Sequence, residues 1–359
     1  MPTIGLLGLP GSGKSTVFHA LTRQAVAPQF IGYDLKPNHA VVKIPDPHLD
    51  WLAAHYQPKS VVHAALEFVD IPGFDPKSTE QKLKNAVLEH YRRCDALALV
   101  VNLFHMESAE RAARGVQALL DELALVDLVN VERACHTIEK AAKLKADHEA
   151  VARHDLLSRI KTRLEEGAPL HSQALTTEEE KHVRDLAFLS AKPVLCVLNI
   201  AEDAYSRPDE AIAGLMDVLN FARSAGIATV RFAASLEAAL VDMSEEEAAE
   251  YMAEFAVSEP ALPRFIRAAY DCLDLITFYT TESRECRAWP LRRGLNAQQA
   301  AGVIHSDMAR GFIRAETVRA DDLVQYGSLA AARHAGKVRL EGKEYVVADG
   351  DVLLIRFNV

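Results

Sequence analysis

The sequence predicts an α/β domain with a mainly parallel sheet, interrupted by a helical insert and followed by a small α+β domain. Three observations carry that prediction. The glycine-rich run Gly8-Leu9-Pro10-Gly11-Ser12-Gly13-Lys14-Ser15-Thr16 lies between apolar Ile4-Gly5-Leu6-Leu7 and helical Val17-Phe18-His19-Ala20-Leu21. Short apolar strands then alternate with helical segments, the pattern of a parallel sheet with crossover helices. From about Phe278 the texture changes to short β-type segments and strong turns.

Thr3–Leu7 is the first expected strand, and the loop after it has the form G-x-x-x-x-G-K-[ST]. Such a loop wraps the backbone N–H groups of Gly11, Ser12 and Gly13 around phosphates. Lys14 offsets charge on the β- and γ-phosphates, and the Ser15 hydroxyl faces Mg²⁺. Thr16 follows in a helix whose positive dipole end adds to the cradle. A glycine-rich turn with no ligand would need neither Lys14 nor Ser15.

His39–Ile44 and Ala65–Asp70 are the next strands, and Asp70-Ile71-Pro72-Gly73 ends the second. A D-x-x-G at this place puts Asp70 near Mg²⁺ and lets the Gly73 N–H approach the γ-phosphate. Paired with the upstream loop it argues for a GTPase-type switch protein. Lys14 and Gly73 are the expected catalytic groups, with Ser15 and Asp70 at the metal.

After the strand Ala96–Asn102, apolar residues recur at near-helical spacing over roughly Val116–Leu164, until Gly167-Ala168-Pro169 stops them. The stretch is too long for one crossover helix and reads as a helical hairpin turning near Lys145–Glu149. Thr177-Glu178-Glu179-Glu180 looks like the capped start of a short helix. The strand Pro193–Asn199 leads into Asn199-Ile200-Ala201-Glu202, where the GTPase class has N-K-x-D and its aspartate reads guanine. Here Ile200 replaces the lysine and Glu202 the aspartate, so a preference for guanine should be lost. Ser235, after the strand-like Thr229-Val230-Arg231-Phe232, sits where such folds supply the last base-contacting loop. The expected division is 1–115 with 190–276 for the nucleotide domain, 116–189 for the insert and 277–359 for the small domain. In the last, a helix is expected at Ala297–His305, and strands Lys343–Val347 and Val352–Phe357 flank the turn Asp349-Gly350.

With 359 residues, 49% of them hydrophobic and 25% charged, the chain is ordinary for a soluble globular protein of two or three domains. No apolar run reaches the length of a membrane span, and no signal peptide precedes the first strand. Five scattered cysteines without C-x-x-C spacing suggest neither zinc nor disulfides, so a reducing cytoplasm is expected. The net charge is −10, yet from Phe278 on there are 12 lysines and arginines against 10 acids, and elsewhere 28 against 40. That mild basic excess is far from a strong nucleic-acid footprint.

Together these residues resemble the YchF (Obg-like) ATPase family over essentially the whole chain. The likeness rests on the loop G-L-P-x-x-G-K-S-T, Lys36-Pro37-Asn38, Phe68-Val69-Asp70-Ile71-Pro72-Gly73, the N-x-x-E base motif and Gly311-Phe312-Ile313-Arg314-Ala315-Glu316. Gly336-Lys337-Val338-Arg339-Leu340-Glu341-Gly342-Lys343 and the terminal Arg356-Phe357-Asn358-Val359 extend it. The resemblance implies a Ras-like P-loop NTPase domain with an antiparallel helical hairpin and a C-terminal ubiquitin-like (β-grasp, TGS) domain. It further implies ATP preferred over GTP, Mg²⁺ as cofactor, and a monomeric, ribosome-associated regulator of translation or stress, meeting the large subunit or rRNA. A nucleotide-gated regulator that does not hydrolyse, or a GTPase, stays open beside the slow ATPase.

The chain also departs from that family. Asp34 occupies the place of a Mg²⁺-holding threonine and becomes a third candidate metal ligand beside Ser15 and Asp70. The glycine-rich loop after Gly73 is replaced by Phe74-Asp75-Pro76-Lys77-Ser78-Thr79-Glu80-Gln81. Phe74 stands where a water-orienting glutamine would be, and His105 is only a displaced counterpart of the family's histidine, so slow turnover is expected.

Overall fold

In the computed structural model, residues 1–23, 30–31, 34–73, 81–105, 109, 111–143, 148–167, 170, 175–281 and 284–358 are described. The side chains of 30, 31, 34, 35, 81–83, 140–143 and 177 are outside that description. Two compact units result: Pro2–Ala40 with Glu67–Ala269, and Met1 with Val41–Leu66 and Tyr270–Val359.

The larger unit is built on a six-stranded sheet. Its elements are β1 (Thr3–Leu7), α1 (Lys14–Thr22), the two-residue strands β2 (Phe30–Ile31) and β3 (Asp34–Leu35), and β4 (Asn38–Lys43). The intervening residues of the smaller unit carry α2 (Pro47–Tyr56) and β5 (Ser60–Val62), and the larger unit resumes with β6 (Ala65–Asp70), α3 (Gln81–Arg93) and β7 (Ala96–Asn102). There follow α4 (Ala112–Lys143), α5 (His148–Glu165), α6 (Thr177–Val183), β8 (Val194–Asn199), α7 (Leu215–Ser224) and β9 (Ala228–Phe232). α8 (Ala234–Ala239), α9 (Glu245–Glu254) and α10 (Leu262–Cys272) complete it.

The strand order is β4-β6-β1-β7-β8-β9, and β6, β1, β7, β8 and β9 run parallel. Because both faces are covered by helices, β7 reads Ala-Leu-Ala-Leu-Val-Val and is buried almost throughout, as a central parallel strand requires. The register Leu6↔Asp70, Leu7↔Leu99, Asn102↔Asn199 and Asn199↔Phe232 brings five carboxyl ends to one edge. At that edge open α/β sheets hold ligands.

α4 and α5 form the expected hairpin, around Val131, Leu156, Leu157, Ile160 and Leu164. Its anchor is Asp127, fully buried, which accepts from the backbone N–H groups of Leu189 (3.1 Å) and Ser190 (2.7 Å) and from the Ser190 hydroxyl. The short helix α6 is capped one residue earlier than expected, by Thr176 in a reciprocal pair with Glu179.

The smaller unit holds a mixed sheet of order β13-β12-β14-β10-β11-β5. It comprises β10 (Leu275–Thr281), β11 (Glu285–Arg292), α11 (Ala297–Ile304), α12 (Ser306–Arg310), β12 (Phe312–Arg319), α13 (Ala320–Tyr326), α14 (Leu329–His334), β13 (Arg339–Glu341) and β14 (Asp351–Phe357). A hairpin, a helix and a central strand β14 parallel to β10 and antiparallel to β12 make the ubiquitin-like β-grasp order.

Two features differ from the sequence reading. Residues 41–66, placed by sequence with the nucleotide domain, join the C-terminal residues, because β5 pairs in parallel with β11 and the Tyr279 hydroxyl donates to both oxygens of Asp46 at 2.9 Å. Lys343–Val347 is not a hairpin partner of β14; Val346 bridges to Asn296, the Tyr345 carbonyl accepts from the Ala297 N–H and the Val347 N–H donates to the Leu295 carbonyl. Asp349 and Gly350 turn the chain toward β10 instead: the Asp349 carboxylate accepts from the Thr277 N–H, and the Gly350 N–H donates to the Thr277 carbonyl.

Candidate nucleotide-binding site

The loop between β1 and α1 is fixed by backbone geometry only glycine tolerates. Gly11 and Gly13 have φ of 75° and 90°. A Cβ on Gly13 would collide with Asn199 Nδ2, and one on Gly8 would lie 2.7 Å from the Val100 carbonyl. Lys14 curls back over the loop, its Nζ donating to the carbonyls of Gly8 (3.1 Å) and Leu9 (3.2 Å). Burial lowers its pKa to about 8, against the opposing pull of the Asp70 charge.

The other groups converge from the strand ends. Asp70, fully buried at the end of β6, accepts from the Ser15 hydroxyl at 3.1 Å. These are two hard oxygen donors of the kind Mg²⁺ takes. Gly73 follows in a segment that presses on the loop: a Cβ there would lie 2.9 Å from the Pro10 nitrogen and 3.2 Å from Lys14 Nζ. Asn199, at the end of β8, clamps two loops at once, donating to the Ser12 carbonyl (3.0 Å) and accepting from the Ala234 N–H (3.1 Å). Asn102, at the end of β7, donates to the Gly11 carbonyl at 3.1 Å.

Beside this cradle opens a cavity of about 430 Å³. Gly13, Thr16, Asn199, Glu202 and Ser235, all named from sequence, line it. Ile200 lines it too, but its side chain is 1% exposed and belongs to the core. Glu202 Oε2 accepts from the Tyr251 hydroxyl at 3.3 Å, which holds the carboxylate at the cavity.

Known proteins place the chain. Residues 3–132 match a family described as 50S ribosome-binding GTPase, and 275–358 match the YchF-GTPase_C family, described as a protein of unknown function. The Ribosome-binding ATPase YchF of Bacillus subtilis (strain 168) is 38% identical over 99% of both chains. The chain belongs to the YchF family. The YchF protein of Escherichia coli O157:H7 is likewise 38% identical over 99% of both chains. The solved YchF GTPase of Schizosaccharomyces pombe superposes with a TM-score of 0.81 at 30% identity, covering 99% of this chain and 97% of that one.

Within this YchF-family chain, sequence reasoning missed Phe104, Asp203 and Phe255, which also line the cavity. Phe104 directly follows the β7 exit, a position that could have signalled it. Phe255 comes after α9 and has no such signal. His105 is exposed, its ring tilted against Phe104 with centroids 4.5 Å apart, and it does not line the cavity. The Asp34 side chain and residues 74–80, including Phe74, lie outside the described residues, as does the Gln81 side chain.

Proposed function

We propose that the chain is a slow Mg²⁺-dependent ATPase, able to bind GTP, that cleaves the β–γ phosphoanhydride bond and works on ribosomes. The observation that carries this reading is the pairing of a lysine-bearing phosphate loop with a base cavity that has Glu202 at the place of the guanine-reading aspartate. Its relatives named ribosome-binding ATPases and an Obg-like ATPase 1 of Oryza sativa, 35% identical over 99% of this chain, support it.

In this reading 1–115 with 190–276 binds nucleotide, apart from 41–66, which pack with the C-terminal residues, and 116–189 is inserted. Gly11, Ser12, Gly13, Lys14, Ser15 and Thr16 hold the phosphates, while Asn199, Ile200, Glu202 and Ser235 border the base. Ser15 and Asp70, with Asp34 as a third ligand, would hold Mg²⁺, which would offset phosphate charge. Lys14 exchanges its two carbonyl partners for phosphate oxygens, and the Gly73 N–H meets the γ-phosphate where charge develops. With Phe74 rather than a glutamine directly after Gly73, water is positioned by backbone or by a partner, and turnover is slow. Glu202 is one methylene longer than the guanine-reading aspartate and tied to Tyr251, so it does not present that aspartate's fork to a guanine edge.

The TGS-like domain, 277–359, makes the contact with the large subunit or its rRNA, and the protein acts as a cytoplasmic monomer. The description 50S ribosome-binding GTPase for the family matching 3–132 supports the large subunit as partner. Of the basic positions there, Arg293 pairs with Asp274 at 3.1 Å, Arg310 pairs with Asp307, and Arg287 stacks on Trp289, 4.0 Å from its centroid. Arg292 and Arg314 make no ion pair among the described residues and are the freer phosphate donors. Single-turnover ATP hydrolysis with and without ribosomes tests the reading. Slow hydrolysis accelerated by ribosomes is expected, and none under either condition would leave a nucleotide-gated binder.

A further inference from the structure

The C-terminal unit has a second cavity, of about 330 Å³, which neither the nucleotide site nor the family comparisons account for. It is lined chiefly by three cations: Arg319 from the end of β12, Lys337 from the turn after α14, and Arg339 from β13. Its size lies at the lower end of ligand-holding clefts, about 300 Å³ and upward.

One cation is held rigidly. The Arg339 guanidinium lies 5.2 Å from the Tyr345 ring centroid, and its Nη2 donates to the Tyr345 hydroxyl at 2.8 Å. That hydroxyl donates in turn to Asp351 Oδ2 at 2.8 Å, and the Ala348 N–H donates to the same oxygen at 2.9 Å. Asp351 is fully buried beneath, and its other oxygen, Oδ1, has no hydrogen-bond partner.

Among the described residues, the side chains of Arg319 and Lys337 make no hydrogen bond to a protein acceptor. Arg319 reaches carboxylates only at 3.9 Å, Asp321 on one side and Asp351 Oδ1 on the other. Arg339 is also 3.9 Å from that oxygen, and Lys337 stands 3.5 Å from Asp322 at the cavity wall. Glu341 lies 3.5 Å from Arg339 Nε, so four carboxylates hold the cations near one another at distances beyond a good hydrogen bond. A guanidinium fork at such range is available to an oxyanion bidentately, and an ammonium adds a point charge.

We propose that Arg319, Lys337 and Arg339 form a phosphate-binding site, separate from the nucleotide loop, that takes a phosphate bearing a hydroxyl-rich substituent. The phosphate spans the three cations, and the carboxylate of Asp322, which lines the cavity, takes a hydroxyl donor. The group comes either from a polynucleotide backbone or from a free phosphorylated metabolite. The assignment does not depend on the nucleotide reading of the first site, and only its polynucleotide source rests on the ribosome reading.

The test uses the full chain with its first site saturated by a non-hydrolysable ATP analogue. Two probes are applied, a fluorescently labelled single-stranded RNA followed by anisotropy and ribose 5-phosphate titrated by calorimetry. The double variant Arg319→Gln, Lys337→Gln removes two half-exposed side chains that make no hydrogen bond within the protein, and unchanged thermal unfolding verifies its fold. Lys343→Gln, an exposed lysine outside the cavity, controls for net charge. Affinity lower by ten-fold or more in the double variant but not in the control is expected for at least one probe, and that probe identifies the source. If the correctly folded double variant binds both probes as the parent and the control do, or the parent binds neither, the proposal is overturned.

Discussion

The phosphate end and the base end of the candidate site are built in opposite ways. The phosphate end is local: Gly8 to Ser15 form one continuous loop, and what they offer is mostly backbone, held by glycine conformations and by Lys14 folding onto its own carbonyls. The base end is assembled from distant pieces: the β7 exit with Phe104, the β8 exit with Asn199 and Glu202, the start of α8 with Ser235, and Phe255 beyond α9. Affinity should therefore reside in the first and discrimination in the second. Asn199 joins the two, since its amide ties the Ser12 carbonyl to the Ala234 N–H.

The sharpest way to break that comparison is at Lys14. Replacing it with Ala should lower affinity for ATP and GTP alike by 100-fold or more, about 2.7 kcal/mol, because it removes the cation of the phosphate cradle. Calorimetry checks it, and a loss confined to one nucleotide would show that the phosphate end discriminates after all.

Asn199→Ala should cost stability as well as binding. It strands a buried carbonyl and a buried N–H, each worth about 1–3 kcal/mol when left without a partner. A drop of a few kcal/mol in urea unfolding, alongside weakened binding of both nucleotides, is expected. Weakened binding with unchanged stability would mean that the clamp is not structural.

The base end is tested by Glu202→Asp, which shortens the carboxylate and frees it from Tyr251. GTP should gain on ATP by about ten-fold, 1.4 kcal/mol, read as the ratio of the two dissociation constants. A fixed ratio would remove Glu202 from base recognition.

The smallest effect is a pH dependence. Lys14 has a folded pKa of about 8, below its ordinary value of 10.5, so the unfolded chain holds this proton more tightly. Its burden on stability is therefore fully present below about pH 8 and is lifted as pH climbs from about 8 toward 10.5. Nucleotide affinity should move the other way and fall above about pH 8, because a neutral lysine no longer balances phosphate charge. Titration between pH 7 and 10 checks this, and a Lys14→Met variant should lack the Lys14 contribution to both trends.

What was legible in the sequence follows the same division. β1, β6 and β7 stand where their apolar runs predicted, and the loop residues Gly11 to Thr16 do too, because each depends on neighbours in the chain. Phe255 was not legible, since its place is set by the packing of α9, and Lys343–Val347 misled because turn chemistry at Asp349-Gly350 suits a hairpin equally well. There the partner was decided by Thr277, some seventy residues away, whose backbone bonds to both turn residues. The attachment of residues 41–66 to the C-terminal unit was hidden for a like reason, as it rests on β5 meeting β11 and on Tyr279 reaching Asp46.

The most direct measurement of the central claim is calorimetric titration of the full chain with ATP and with GTP in the presence of Mg²⁺. ATP should bind at least as tightly as GTP, both through the same loop, with binding of either lost in Lys14→Ala. A preference for GTP of ten-fold or more, about 1.4 kcal/mol, would contradict the assignment of an adenine-accepting base end.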